Sequence, residues 1–102
     1  LKLLTIDFPM DGPWGAEMSE AYTGLAEKIN EARGLVWKIW LENRETGEQG
    51  GAYLFEDAAS LDAYLREHTE RLKALGVENV RVKTFDVNEP LTRLNHGLPE
   101  GK

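Results

Sequence analysis

Gly34-Leu35-Val36-Trp37-Lys38-Ile39-Trp40-Leu41-Glu42, a polar stretch from Asn43 to Gly50, and then Gly51-Ala52-Tyr53-Leu54-Phe55-Glu56 decide how this chain folds. Two runs rich in β-branched and aromatic residues flank a turn with Glu45-Thr46-Gly47-Glu48 at its tip, the pattern of an antiparallel hairpin. Its place is the centre of a sheet. Side chains alternate along a strand, so Leu35, Trp37, Ile39 and Leu41 point one way and Val36, Lys38, Trp40 and Glu42 the other. Each face then carries a tryptophan. A sheet covered on one side shows water-loving residues on its other side, so Trp40 and Val36 predict a cover for the second face too.

Upstream of the hairpin, Lys2 to Phe8 reads as a strand with Leu4, Ile6 and Phe8 on one face and Leu3 on the other. Pro9 and Asp11-Gly12-Pro13 stop it. Trp14, Met18, Ala21, Tyr22, Leu25 and Ile29 then recur at three- and four-residue steps, predicting an amphipathic helix that ends near Arg33-Gly34. Downstream, Asp57 caps a second helix whose stripe is Leu61, Tyr64, Leu65, His68, Leu72 and Leu75, closed by Gly76. Residues 78–87 form a last strand, with Val80 and Val82 on one face and Phe85 and Val87 on the other. Asn88-Glu89-Pro90 ends it, Leu91 to Leu94 makes one helical turn, and residues 95–102 read as a loose tail.

The order β-α-β-β-α-β, with right-handed crossovers around one hairpin, gives an α+β ferredoxin-like fold. A four-stranded antiparallel sheet carries both helices on one face, and residues 1–102 make a single domain. Two such sheets meeting at their helix-free faces, a dimeric α/β barrel, would shelter the apolar residues that point both ways. The expected partner is therefore a second copy of the chain.

Composition narrows the function. The 102 residues are 41% hydrophobic and 29% charged, an ordinary globular balance. A net charge of -6 argues against binding a phosphate backbone, so nucleic acid is set aside. No stretch approaches the roughly 20 apolar residues that cross a bilayer, and Leu1-Lys2-Leu3-Leu4 is too short for a signal peptide, so the expected location is the cytoplasm, with no membrane partner. With no cysteine there is no disulfide, thiolate metal site or cysteine nucleophile.

Several segments are similar to the YdhR-type monooxygenase family. They are Asp11-Gly12-Pro13-Trp14-Gly15, Gly34 to Trp40, Gly50-Gly51-Ala52-Tyr53-Leu54-Phe55, Tyr64-Leu65, His68-Thr69, Arg71-Leu72-Lys73, Leu75-Gly76-Val77 and Phe85 to Leu91. The resemblance runs from Leu3 to about Leu94, with Asp11 and Trp14 standing where the family pattern has Asn and Phe. It implies a dimeric ferredoxin-like barrel related in fold to antibiotic-biosynthesis monooxygenases, which oxidise polycyclic phenols with no metal or flavin cofactor. A shared fold implies a scaffold more than a reaction.

His68 is the candidate catalytic residue, an imidazole on the apolar stripe of the second helix. There it can serve as a general base, bind a metal or ligand, or simply be a buried histidine held by a carbonyl or carboxylate. Trp37, Trp40, Tyr53, Phe55 and Tyr64 can wall a pocket for a flat apolar substrate, or be core, with Trp40 alternatively at the dimer interface. Trp14 can cap the pocket mouth or begin the helix. Lys38 shares a face with Trp40 and either meets a carboxylate across the dimer or lines a ligand site. Asp86 and Asn88 can orient a ligand or cap the terminal turn. No phosphate loop, Ser-His-Asp order or metal-ligand cluster accompanies them, since the other histidine, His96, lies in the tail.

The leading expectation is a cofactor-independent oxygenase acting on a small electron-rich aromatic, a polycyclic phenol or hydroquinone, with His68 as base. Two others stand beside it. Dimeric barrels of this fold that handle haem use a helix-borne histidine, a position His68 resembles, and a non-catalytic protein that binds a small apolar ligand would need no base at all.

Overall fold

The computed structural model describes residues 1–101. Its elements are β1 (Lys2–Pro9), α1 (Gly15–Ile29), β2 (Leu35–Asn43), β3 (Glu48–Phe55), α2 (Ala58–Ala74), β4 (Arg81–Asp86) and α3 (Glu89–Leu94). The strands pair in the order β2-β3-β1-β4, every neighbour antiparallel, which is the ferredoxin-like topology expected from the element order; the hairpin is not central as a whole, because β3 is an inner strand and β2 an edge strand. Both long helices cover one face. There Leu4, Ile6 and Phe8 of β1 and Tyr53 and Phe55 of β3 meet Ile29 of α1 and Leu61, Tyr64 and Leu72 of α2. Each such side chain contributes roughly 1.5–3 kcal/mol by leaving water.

Local chemistry sets the helix ends. Asp57 caps α2 by accepting from the Ser60 amide at 2.7 Å. Trp14 offers α1 no side-chain cap, and the Glu42 carboxylate of β2 instead accepts from the Gly15 amide at 2.8 Å. The start of α1 is thus tied to the sheet, beside a cis Gly12–Pro13 bond. α1 ends at Ile29, short of Gly34, because Ala32 donates back to Ile29 and Leu35 to Ala32, turning the chain. β4 begins only at Arg81, since Asn79 sits in the left-handed region at φ 55° and interrupts extended backbone. Asn88 caps α3, and the amides of Asn95, His96 and Gly97 donate back to that helix.

Simple alternation misplaces the first residues of β2. The register against β3 shifts between Leu35 and Trp37, so Val36 is an extra residue. Leu35 pairs with Phe55 and packs on the core, whereas Trp37 pairs with Leu54 and faces away from the helices. Lys38 and Trp40 pair with Tyr53 and Gly51 and so lie beneath the helices. The helix-free face therefore owes its apolar character to Trp37, Ile39, Leu41 and Phe85, not to Trp40 and Val36. Ile39 is 52% exposed, Phe85 47% and Leu41 41%. At one end of that face Arg81 pairs with both Asp7 and Glu48, joining three strands. Among the described residues no helix is long and apolar enough to cross a membrane.

Two glycines make the packing testable. A Cβ at Gly50 would lie 2.0 Å from the Ile6 carbonyl oxygen, whereas one at Gly24, within α1, meets nothing within 4 Å. Gly50→Ala is expected to destabilise the fold by about 3 kcal/mol and Gly24→Ala to stabilise it by roughly 0.5–1 kcal/mol, both read from urea denaturation midpoints.

Candidate functional site

Between the helices and the sheet lies a cavity of about 190 Å³. Phe8 and Met10 of the first strand and its turn, Met18 and Leu25 of α1, Leu72 of α2, and Leu75 and Val77 beyond it supply its apolar wall. Its polar groups are few: Tyr22, Lys38, Gln49, Tyr53, His68 and the indole edge of Trp40. An apolar chamber with a small number of convergent polar groups is the ordinary form of a small-molecule site.

Of the residues singled out in the sequence, Lys38, Trp40, Tyr53 and His68 come together here. The others lie elsewhere. Trp37 is on the opposite face of the sheet, Phe55 and Tyr64 pack behind Tyr53 in the core, Trp14 precedes α1 outside the cavity, and Asn88 caps α3 by accepting from Leu91 at 3.2 Å. Asp86 pairs with Lys2. Tyr22 and Gln49 are the polar wall residues that the motif reading missed. Tyr22 stacks on Trp40 with ring centroids 5.9 Å apart and donates to Gln49 Oε1 at 3.2 Å. Gln49 Nε2 in turn donates to the Pro13 carbonyl at 2.7 Å, so the buried amide is fixed in one orientation. Its alternation with Gly51 and Tyr53 was the available signal.

The state of His68 follows from one bond. Arg71 Nη1 lies 2.8 Å from His68 Nδ1. A guanidinium has no lone pair to offer, so arginine donates and Nδ1 must be the unprotonated nitrogen. The proton of the neutral ring then sits on Nε2, which makes no hydrogen bond among the described residues, and the ring itself lines the cavity. Burial first, then the nearby Lys38 and Arg71 charges, lowers the His68 pKa to about 4. The ring stays neutral at physiological pH, stacked on Tyr64 at 5.1 Å and edge-on to Tyr53 at 6.2 Å. It presents a donor to the cavity. That does not suit a general base, and it does not suit a haem ligand, which would need the Nε2 lone pair. Among the described residues no three His, Cys, Asp or Glu side chains gather to hold a metal ion.

Lys38 is the opposite case. Its ammonium lies 3.4 Å from the centroid of a Trp40 ring and 4.7 Å from that of Tyr53, two cation-π contacts. Among the described residues of this chain no carboxylate forms an ion pair with it. Burial, reinforced by the positive charge of Arg71, lowers its pKa to about 7. Tyr53 is pushed the other way by burial, well above the usual phenol range, and remains a neutral hydroxyl. The Tyr64 hydroxyl is buried with no well-formed hydrogen bond, although Tyr53 and Arg71 are its near neighbours.

A lone cation in an apolar chamber costs stability. Below pH 7 Lys38 is charged in both folded and unfolded chains and the cost is complete. As pH rises from about 7 towards 10.5 the folded chain gives up this proton first, so the cost shrinks across that window. Lys38→Met is therefore expected to raise stability at pH 6 by roughly 1 kcal/mol or more. Chemical denaturation repeated up to pH 10 should show the gain narrowing, and an unvarying gain would contradict the burial argument.

Comparison with known proteins agrees with this fold. Residues 3–98 match the family model described as "Putative mono-oxygenase ydhR". No curated protein sequence matches the chain significantly. Among solved structures, a putative antibiotic biosynthesis monooxygenase from Deinococcus radiodurans superposes with a TM-score of 0.63 at 11% identity, covering 86% of this chain and 93% of that one. So low an identity speaks for a common fold alone. The match over residues 3–98 decides the family: the chain belongs to the family described as "Putative mono-oxygenase ydhR".

Proposed function

We propose that the protein oxidises a one-ring, electron-rich aromatic, a hydroquinone, with dioxygen inside the cavity beneath its helices. The observation that carries this reading is the size and lining of the chamber. An apolar cavity of about 150 Å³ accommodates one benzene ring. The 190 Å³ found here suits a single substituted ring, and a tricyclic phenol would exceed that space. Trp40, Tyr22 and Tyr53 supply aromatic wall to such a ring, and His68 and Lys38 are polar wall residues that its oxygen substituents could reach.

The chemistry balances without an outside reductant. A hydroquinone plus dioxygen gives a hydroxyquinone plus water, the ring supplying all of the electrons that dioxygen accepts. Removing a hydroxyl proton raises the electron density of the ring, and the anion passes an electron to dioxygen. A carbon–oxygen bond forms, and the resulting hydroperoxide expels water. The protein's part is to bind the ring, assist its ionisation and exclude bulk water. His68 acts here as a hydrogen-bond donor to the substrate oxygen.

A second copy of the chain is the partner this reading includes, joined through the helix-free face. The support is the exposure of Ile39, Leu41 and Phe85 on one side of the sheet, an apolar patch beside the Arg81–Asp7–Glu48 cluster. Sedimentation should give a dimer, and Ile39→Lys should shift it towards monomer.

Oxygen consumption in chelator-treated buffer tests the reaction. One-ring hydroquinones are expected to support protein-dependent uptake, with a hydroxyquinone as product, and anthrones little or none. Saturable binding of the same compounds with no uptake would overturn the enzymatic reading in favour of a binding protein.

A further inference from the structure

We propose that Lys38 takes the hydroxyl proton of the aromatic ligand and then holds the oxyanion it has made, so that the cavity selects rings bearing an ionisable hydroxyl. This rests on the cavity being the substrate site, and it moves the acid–base role from α2 to the sheet.

The geometry singles out Lys38. It lies on the helix side of β2, within the cavity wall, with its ammonium over the faces of Trp40 and Tyr53. The titratable or charged groups that face it are Tyr53 on β3, Tyr22 on α1, and His68 and Arg71 on α2, and none is a carboxylate. Glu67, the nearest acid on the Arg71 side, is engaged with that arginine at 3.1 Å. An unpaired cation among aromatic walls leaves room for one anion, and the ligand is the group that can supply it.

The neighbours exclude a different base. His68 Nδ1 is occupied by Arg71 and its Nε2 carries the proton, so the imidazole can only donate to a ligand oxygen. The amine of Lys38 has a lone pair when neutral, and a pKa near 7 leaves a large neutral fraction at physiological pH. Proton transfer then turns a neutral pair into an ion pair: the ligand O–H bond breaks, an N–H bond forms, and no proton enters or leaves the site. His68 Nε2–H stabilises the same oxygen from the other side.

The backbone is shaped for this. A Cβ at Gly51 would lie 2.9 Å from Lys38 Cε and 3.0 Å from the Tyr53 ring, so the bare glycine gives the lysine stem its path across the sheet. In the sequence, Gly51 and Lys38 are separated by the whole hairpin, and their meeting depends on the register of β2 against β3.

A binding experiment with 4-cyanophenol, a one-ring phenol, tests the assignment at a pH above the Lys38 pKa and below that of the free probe. With the wild-type protein the ultraviolet difference spectrum should show bound phenolate. Calorimetry in two buffers of different ionisation enthalpy should give the same heat, because the proton stays in the site. Lys38→Met should abolish the phenolate band and weaken binding about tenfold or more. Lys38→Arg, always charged, should keep the band but release one proton to the buffer for each probe bound. A wild-type complex holding the neutral phenol, a phenolate band that survives in Lys38→Met, or no binding up to the solubility of the probe would each overturn the proposal. The outcome is separable from the oxygenase reading. A protein that ionises the probe but consumes no oxygen loses only the reaction, and one that consumes oxygen while binding neutral phenol loses only Lys38.

Discussion

One extra residue in the first hairpin strand governs what both faces of the sheet become. With Val36 as a bulge, Leu35 turns into the core while Trp37, Ile39 and Leu41 line the helix-free face and Lys38 and Trp40 enter the cavity. Bulges re-aim side chains in this way because one strand spends two residues where its partner spends one. Slipping the pairing by a single residue would carry Lys38 to the bare face and a tryptophan off the cavity wall. The register is held from β3, where Gly50 and Gly51 allow contacts that no side chain would tolerate: the Ile6 carbonyl on one side and the lysine stem on the other.

Around the cavity, charge is distributed against stability. Arg71 donates to His68, pairs with Glu67 and lies close enough to Lys38 to disfavour a second positive charge. A fold selected only for stability would have placed a leucine or methionine at position 38, completing the apolar wall. The lysine is instead held by aromatic faces, an attraction worth about 0.5–2 kcal/mol that offsets only part of the desolvation. His68 shows the complementary solution. The arginine settles its tautomer and burial keeps it neutral, so one nitrogen is consumed by the fold and the other keeps its proton.

Much of this was legible in the sequence, and the failures have physical causes. The period of the apolar residues and the turn chemistry of Pro9, Gly12, Gly34 and Gly76 were enough for the element order, because these residues separate the periodic segments even where an element stops before reaching them. Elements ended early where the break came from hydrogen bonding in a turn or a left-handed Asn79, neither of which has a strong local signature. The site was half visible. His68, Lys38, Trp40 and Tyr53 stood out as chemically capable side chains in apolar surroundings. Trp37, Phe55 and Tyr64 stood out for the same reason and lie outside the cavity, since aromatic character does not say which side of a wall a ring will take. Gln49 was hidden by its polar neighbours in the turn, and the tautomer of His68 could not be read because it depends on Arg71, whose approach to the ring is set by side-chain geometry.

The two faces of the sheet are not independent in this arrangement, because β2 serves both. It is an edge strand, hydrogen-bonded only to β3, and edge strands open more readily than central ones. Yet it carries Lys38 and Trp40 into the cavity wall, and its Glu42 tethers the start of α1, the helix that brings Tyr22 onto Trp40. A lysine amine held over two aromatic rings inside a cavity is poorly served by a fraying edge. Trp37, Ile39 and Leu41, alternating with those functional residues along the same strand, provide a remedy if their face is covered by a second subunit: burying them would hold the edge down from behind. In the proposed dimer, association would then reach the cavity through the stiffness of one strand, with no residue of the partner entering the site.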